Sequence, residues 1–589
     1  MGYHSPVDLL SEVEAKVQAI GDGWNADDVE CGRIDFKETP DTAGDGGKHA
    51  KRRFAELLAE TAVCFANADG GAIVVGIRDR AATRSEAIAG IGRTTAAELV
   101  KTIFDRTSPA ITCRASALDV DGKEVIVLLV PSGESVHSTT QGVYKIRLND
   151  ECVPLSGDRL RGLRALRERY DWTAEPAGLG LDALSRSGLE RAAGRLFRSG
   201  HDDLATLALN QPRDFCVACG LLAGDQVTRA AVLLYGTPEA LRTAIPNWGV
   251  NAQTRASPGS EPKILMRPHL TDDCLVLLLD RLIELFGALT AVQTIRVGAE
   301  QIDLVDYPSD ALREIIANAF AHRDWEAPGA VEIIHSPDEL VVASPGGVLP
   351  TLRVDRLLHD AAAPRNALLA DNMARLRLAE MAGLGLDRAF REIARLGKEP
   401  PILSDGVRFR VTMPGGGGDA AFARYINGVR FPERLAGDVD ILMVLTALRN
   451  NRTESAPRLS SRLQREPRDV ERVLRRMADL EIVQPTRATR QRAHPSYELT
   501  PDAVAGMRGA LRYRTTDIDS DDQKLLNHLQ RYGRITNEVV RGYLDCDIAT
   551  ARNRLTALRR RGLIDFAPDS PRRGARVVYV PTDQRSEER

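Results

Sequence analysis

Apolar residues at Phe54, Leu57, Leu58, Ala62 and Phe65 recur at the spacing of one helical face, so this stretch is predicted to be a helix with a buried side. Asn67, Asp69, Gly70 and Gly71 end it, because glycine tolerates the positive φ that such a break needs. Residues 72–77 form a short apolar, β-branched run that predicts a buried strand, and Asp79 sits just past its end. Residues 34–37 predict a second strand, with Asp35 on one face and Glu30 just before it. Leu9, Leu10, Val13, Val17 and Ile20 mark a leading amphipathic helix. Strand-like runs follow at 117–120, 124–130 and 143–147, then a helix at 159–170 that leaves the domain. In the last of these strands Lys145 and Arg147 alternate with apolar residues, which fits either a surface facing a phosphate backbone or an ordinary half-exposed strand.

The pattern weakens between 176 and 300. Residues 184–209 read as largely helical, 230–236 as a buried strand ending at glycine, and 275–289 as an amphipathic helix. Together they suggest a connector with no chemistry of its own. The signal sharpens at 307–325, where Pro308 precedes a helix that Ser309 or Asp310 can cap. Within that helix Glu314 and Asn318 are four apart and share a face. Pro414 and the glycines 415–418 predict a flexible hinge.

Composition narrows the class. The chain has 589 residues, too many for one core, so about three to five domains are expected. Charged residues make up 27% and hydrophobic ones 43%, a globular rather than a disordered balance. The net charge of −3 means that any basic surface must be local. The 8 cysteines show no paired framework, which points to free thiols in a reducing cytoplasm. Cys216 and Cys219 form a lone CxxC, more consistent with core than with zinc. No apolar run is long enough to span a membrane, and the N-terminus lacks a signal peptide's apolar core.

Several motifs in order carry a family resemblance. Glu30, Asp35, Phe36 and Lys37, then Phe65-Ala-Asn with Gly70 and Gly71, then Gly76-Ile-Arg-Asp79 resemble the Schlafen AlbA_2 domain, once called divergent AAA-4, over about residues 10–175. The resemblance implies three acidic residues that cut tRNA or rRNA with Mg²⁺ or Mn²⁺, falling here on Glu30, Asp35 and Asp79. The second acid is Asp where that family usually has Glu. Three converging carboxylates repel one another unless a cation or protons neutralise them, and a hard divalent cation suits carboxylate oxygens. The alternative is a domain that binds without cutting, with solvated acids. Lys37, Lys145 and Arg147 are the accompanying nucleic-acid candidates.

The stretch 300–414 resembles the RecG-related, GHKL-type ATP-binding domain. The resemblance implies that Glu314 positions water, that Asn318 holds Mg²⁺ against the phosphates, and that Gly346, Gly347, Gly383 and Gly385 let backbone approach the nucleotide. Ser344 and Pro345 occupy the place of the Asp that reads adenine in that family, and there is no Walker A motif to support helicase activity.

Two further units, 438–499 and 521–579, each read helix, helix, helix and a two-stranded wing, and resemble winged helix-turn-helix domains. The third helix of the second unit holds Arg552, Arg554, Arg559, Arg560 and Arg561, and its wing holds Arg572, Arg573 and Arg576. In the first unit Arg468, Arg472, Arg475 and Arg476 lie on the third helix beside Asp469 and Glu471. Arginines there suit phosphates and guanine edges, although winged helices also serve as dimerisation or docking modules. The tail from Asp583 is predicted to be disordered.

The expected architecture is therefore multi-domain α/β: a Schlafen-like AlbA_2 α+β domain (1–175), a connector (176–300), a GHKL-like α/β sandwich (301–414) and tandem winged helices (436–500 and 518–583). The expected function is a cytoplasmic, nucleic-acid-binding protein, either a metal-dependent endoribonuclease under nucleotide control, used in stress or phage defence, or an ATP-responsive DNA-binding regulator. RNA or DNA, ATP and a second copy of the chain are the expected partners.

Overall fold

The computed structural model describes residues 6–20, 26–43, 47–79, 81, 83–148, 150–155, 157–257, 259–297, 300–359, 364–379, 384–428, 431, 433–492, 494–507, 509–512, 522, 525–526, 528–529, 533–544, 546–568, 570–572 and 577–582. The chain divides into two compact units, one of residues 1–419, 426–443 and 460–466, the other of residues 420–425, 444–459 and 467–589. Gly383, Arg573, Arg576 and the tail from Asp583 lie outside the described residues.

The first unit contains a four-stranded sheet in the order Ile34–Lys37, Gly71–Val75, Lys123–Val130, Arg114–Val120. The first pair is parallel and the others antiparallel. Gly71–Val75 is buried throughout and feeds two cores by alternation. Ala72 and Val74 pack with Val13 and Val17 of helix Pro6–Ala19. Ile73 and Val75 pack with Leu58, Ala62 and Phe65 of helix Lys48–Asn67 and with Leu99 and Ile103 of helix Ala96–Arg106. The helix-to-strand turn needs its glycines: Gly70 has φ 80°, and a Cβ on Gly71 would run into the Phe65 ring.

A six-stranded sheet follows, in the order Lys263–Met266, Val250–Thr254, Val331–His335, Glu339–Pro345, Arg408–Pro414, Ile402–Ser404. It corrects the expected boundary at residue 300. Two of its strands come from the supposed connector, with Val250–Thr254 pairing in parallel with Val331–His335. One hydrophobic core runs from Ala183 to Met413. The expected strand at 230–236 is instead the helix Arg229–Tyr235, capped by the Thr228 hydroxyl, which accepts from the Ala231 N–H. An unbroken apolar run carries no period to separate helix from strand.

Other expectations change for tertiary reasons. Helix Ser309–Ala321 starts after Pro308 without a side-chain cap, and Asp310 pairs with Arg313 at 3.0 Å and Arg388 at 2.7 Å. The glycines after Pro414 are strapped down rather than hinged: Gly415 donates to Asp338 O at 2.7 Å and Gly416 to Pro337 O at 3.0 Å. A Cβ on Gly415 would run into Pro337 O. Not every thiol is free, because Cys64 and Cys152 form a disulfide with Cα atoms 5.8 Å apart. Among the described residues, no helix is long and apolar enough to cross a membrane.

In the second unit, strands Glu454–Ser455, Ser496–Leu499 and Val483–Pro485 form one small sheet, accompanied by helix Pro467–Asp479, whose Val470, Leu474 and Met477 are buried. Strands Ile535–Thr536, Val578–Pro581 and Ile564–Phe566 form another. Its core joins Ile535, Val540 of helix Asn537–Leu544, and Ala551, Leu555 and Leu558 of helix Ile548–Arg560.

Candidate functional site

Strand Ile34–Lys37 buries Ile34 and Phe36 on one face and turns Asp35 to the other, toward strand Lys145–Leu148. There Arg147 donates from Nη1 to Asp35 Oδ1 at 3.0 Å and from Nη2 to Cys31 O at 3.1 Å. Its guanidinium lies 5.1 Å from the centre of the Phe65 ring. Lys37 Nζ is 2.5 Å from Asp35 Oδ2. Both oxygens of Asp35 therefore already face cations, and only 6% of its side chain is exposed.

Glu30 lies beside this group and accepts from the Phe36 N–H at 2.8 Å. Burial, then repulsion from Asp35, pushes its carboxyl up to about 7, against the pull of Phe36 N–H, Lys37 and Arg147. Asp79 stands exposed on the bend after strand Gly71–Val75. Among the described residues, no three His, Cys, Asp or Glu side chains are disposed to hold a metal ion. Glu30 and Asp35 are brought together, while their charge is balanced by Arg147, Lys37 and a proton. This donor set does not fit a three-carboxylate metal centre.

The other strand cation is also neutralised, Lys145 Nζ lying 2.6 Å from Glu60 Oε2. Asn67, expected only to help end the helix, is a clamp in the structure. Its amide donates to His137 O and Lys145 O, both at 2.8 Å, and its oxygen accepts from His137 N–H at 2.8 Å. This clamp fixes strand Lys145–Leu148, and with it Arg147, against the end of helix Lys48–Asn67.

In the nucleotide-binding candidate, Glu314 and Asn318 share a face of helix Ser309–Ala321, opposite the first turn of helix Leu384–Arg395. A Cβ on Gly385 would run into Glu314 Oε2 and lie 3.6 Å from Asn318 Nδ2. Glycine there lets helix Leu384–Arg395 come directly against the Glu314 carboxylate and the Asn318 amide, and the Asn318 amide is the donor that suits a phosphate oxygen. Gly346 and Gly347 are tied to neighbouring backbone and side chains. Gly346 has φ 90° and donates to Val407 O at 3.0 Å, and its Cβ would lie 2.5 Å from Asp324 Cβ. Arg365 donates to Gly347 O at 2.9 Å.

The segment after these glycines had no signature in the sequence. Arg353 donates to Leu148 O at 3.5 Å. Arg356 pairs with Glu466, the Leu358 N–H donates to Gln464 Oε1 at 3.1 Å, and His359 Nε2 donates to Leu463 O at 2.8 Å. Arg465 in turn pairs with Asp440 at 2.7 Å. Residues 353–359 thus form a strap from the region of the glycine turn to residues 463–466, immediately ahead of helix Pro467–Asp479.

The C-terminal arginines are of two kinds. Asp522 takes Arg554 at 3.3 Å and Arg561 at 3.2 Å, while Arg559 pairs with Asp565 at 3.2 Å and lies 4.0 Å from the Phe566 ring centre. Arg572 also lies over that ring at 5.8 Å. Arg552 and Arg560 are exposed on helix Ile548–Arg560.

Comparison with known proteins places two of these regions. Residues 30–156 match the family described as Schlafen, AlbA_2, and residues 329–413 match the family described as "Putative ATP-dependent DNA helicase recG C-terminal". The chain carries a Schlafen AlbA_2 domain followed by a RecG-related ATPase-like domain, a pairing that marks a nucleic-acid-related, ATP-associated protein. No curated protein matches it. Among solved structures, the DIP2311 protein from Corynebacterium diphtheriae is similar at 21% identity, covering 86% of this chain and 99% of that chain, with a TM-score of 0.49.

Proposed function

We propose that this protein is a nucleotide-controlled nucleic-acid-binding regulator, in which the central ATPase-like domain governs DNA binding by two C-terminal winged-helix units. The observation that carries this reading is the strap 353–359, whose three bonds to Leu463, Gln464 and Glu466 end one residue before helix Pro467–Asp479. Asn318 and Glu314, beside Gly385, would hold the nucleotide together with the divalent cation such domains use. Nucleotide control through residues 353–359 would act by loosening this strap and freeing residues 463–466. Helix, short strand, helix, helix and hairpin follow in order around the first small sheet, and short strand, helix, helix and hairpin around the second, which supports the winged-helix assignment. Exposed Arg552 and Arg560 are the phosphate and base contacts, whereas Arg554 and Arg559 hold the fold.

A second reading, an endoribonuclease acting in stress or phage defence, is favoured by Glu30, whose carboxyl at about 7 is placed to give or take a proton near neutral pH. A single assay separates the two. Purified protein is incubated with duplex DNA and with total tRNA, with Mn²⁺ or EDTA, with or without ATP, beside Asp79→Ala. DNA retention that changes with ATP while RNA stays intact supports the regulator. Mn²⁺-dependent RNA cleavage lost in Asp79→Ala overturns it in favour of the nuclease.

A further inference from the structure

The cations that strand patterning offers to nucleic acid are spent. Lys37 and Arg147 hold Asp35, and Lys145 holds Glu60. A nucleic-acid surface on the AlbA_2 domain must therefore be sought elsewhere. The start of helix Lys48–Asn67 reads Lys48-His-Ala-Lys-Arg-Arg53, and Lys48, His49, Lys51, Arg52 and Arg53 are all exposed. Lys48 and Arg53 make no ion pair among the described residues. Lys51 and Arg52 meet Asp41 and Glu56 at 3.1 and 3.8 Å but stay 59% and 62% exposed, so water screens those pairs heavily.

This charge is placed against the helix's own field. The first turn holds no acidic residue, and Gly47 at the N-cap offers no side-chain acceptor to the free N–H groups. A helix N-terminus carries partial positive charge and favours anions, so four Lys and Arg residues within its first two turns repel it and one another. An extended polyanion relieves both repulsions at once. A single small anion would reach only part of a row whose Lys48, Lys51 and Arg52 lie along one helical face and whose Arg53 lies beside it.

We infer that residues 48–53 are the phosphate-backbone contact of the AlbA_2 domain, taking the phosphodiester chain of a nucleic acid by charge rather than by base identity. This rests on the nucleic-acid-binding reading above and locates its N-terminal surface. The recognition is of spaced phosphates, so Lys and Arg are interchangeable at these positions.

The test uses the full-length protein and fluorescence anisotropy with labelled tRNA and labelled duplex DNA over about 50 to 200 mM salt. The triple variant Lys48→Ala/Arg52→Ala/Arg53→Ala is expected to lower the slope of log affinity against log salt by about 2 to 3 on the nucleic acid that the patch holds. The charge-keeping variant Arg52→Lys/Arg53→Lys retains the wild-type slope, and so does Lys145→Ala. The arm that loses slope says whether RNA or DNA is the partner. Wild-type binding with an unchanged slope in the triple variant overturns this inference and leaves the regulator reading intact. Failure of the wild type to bind either nucleic acid overturns both.

Discussion

Replacing Glu30 by Gln tests the electrostatics of the N-terminal site. The carboxyl is raised from an ordinary 4.5 to about 7, first by burial and then by Asp35. The folded protein therefore holds this proton more tightly than the unfolded chain does. Its stabilising contribution is complete below about pH 4.5 and is lost as the pH rises through about 7. The full difference corresponds to about 3 kcal/mol between the two protonation states. Screening at this half-buried group reduces what reaches stability to about 2 kcal/mol. Glutamine keeps the acceptor for the Phe36 N–H but cannot ionise. Calorimetric unfolding at pH 5 and pH 8 reads the effect in the transition that includes the N-terminal domain. The two proteins should differ only slightly at pH 5, and Glu30→Gln should melt about 5 °C higher at pH 8. Equal melting at pH 8, or a less stable variant there, would refute the assignment of a repelled, desolvated carboxyl.

Arg147→Ala removes one half of a buried pair and leaves Asp35 with Lys37 alone, so it should cost about 3 kcal/mol in chemical denaturation. Gly385→Ala sends a methyl group into Glu314 and should abolish nucleotide binding in a calorimetric titration while leaving DNA binding without nucleotide unchanged. In the last helical unit, Arg552→Ala and Arg560→Ala should each lower the salt slope of DNA binding by about 1 without changing the melting temperature. Arg554→Ala, which strips a partner from Asp522, should lower the melting temperature instead.

Much of the N-terminal domain was legible because its signals are local. The apolar spacing from Phe54 to Phe65, the glycine break and the β-branched run give helix, turn and strand in order, and the structure places Lys48–Asn67 and Gly71–Val75 there. What failed depends on partners distant in sequence. Lys145 and Arg147 fit either a phosphate-facing surface or an ordinary half-exposed strand until Glu60 and Asp35, 85 and 112 residues away, are seen to hold them. Residues 250–266 carried no sign that they complete the sheet of residues 331–414, because edge pairing is decided by the neighbour and not by the strand. Glu314 and Asn318 were legible as a helical pair, and Gly385 falls opposite them, but the strap was not, because its bonds use backbone atoms at Leu358 and Leu463. Backbone groups leave no trace in residue identity.

The strength of the strap bounds the effect of nucleotide on DNA binding. One partly exposed ion pair and two hydrogen bonds amount to about 2 to 3 kcal/mol. Nucleotide that releases part of that shifts DNA affinity by about tenfold. The decisive measurement is the duplex-DNA dissociation constant with and without Mg²⁺-ATP for the wild type and for Arg356→Ala, which removes the pair with Glu466. The expected result is about tenfold tighter binding with ATP in the wild type, and in Arg356→Ala a nucleotide-free affinity already near the tighter value with little response to ATP. An equal ATP response in both proteins, or none in the wild type, would contradict nucleotide control through residues 353–359.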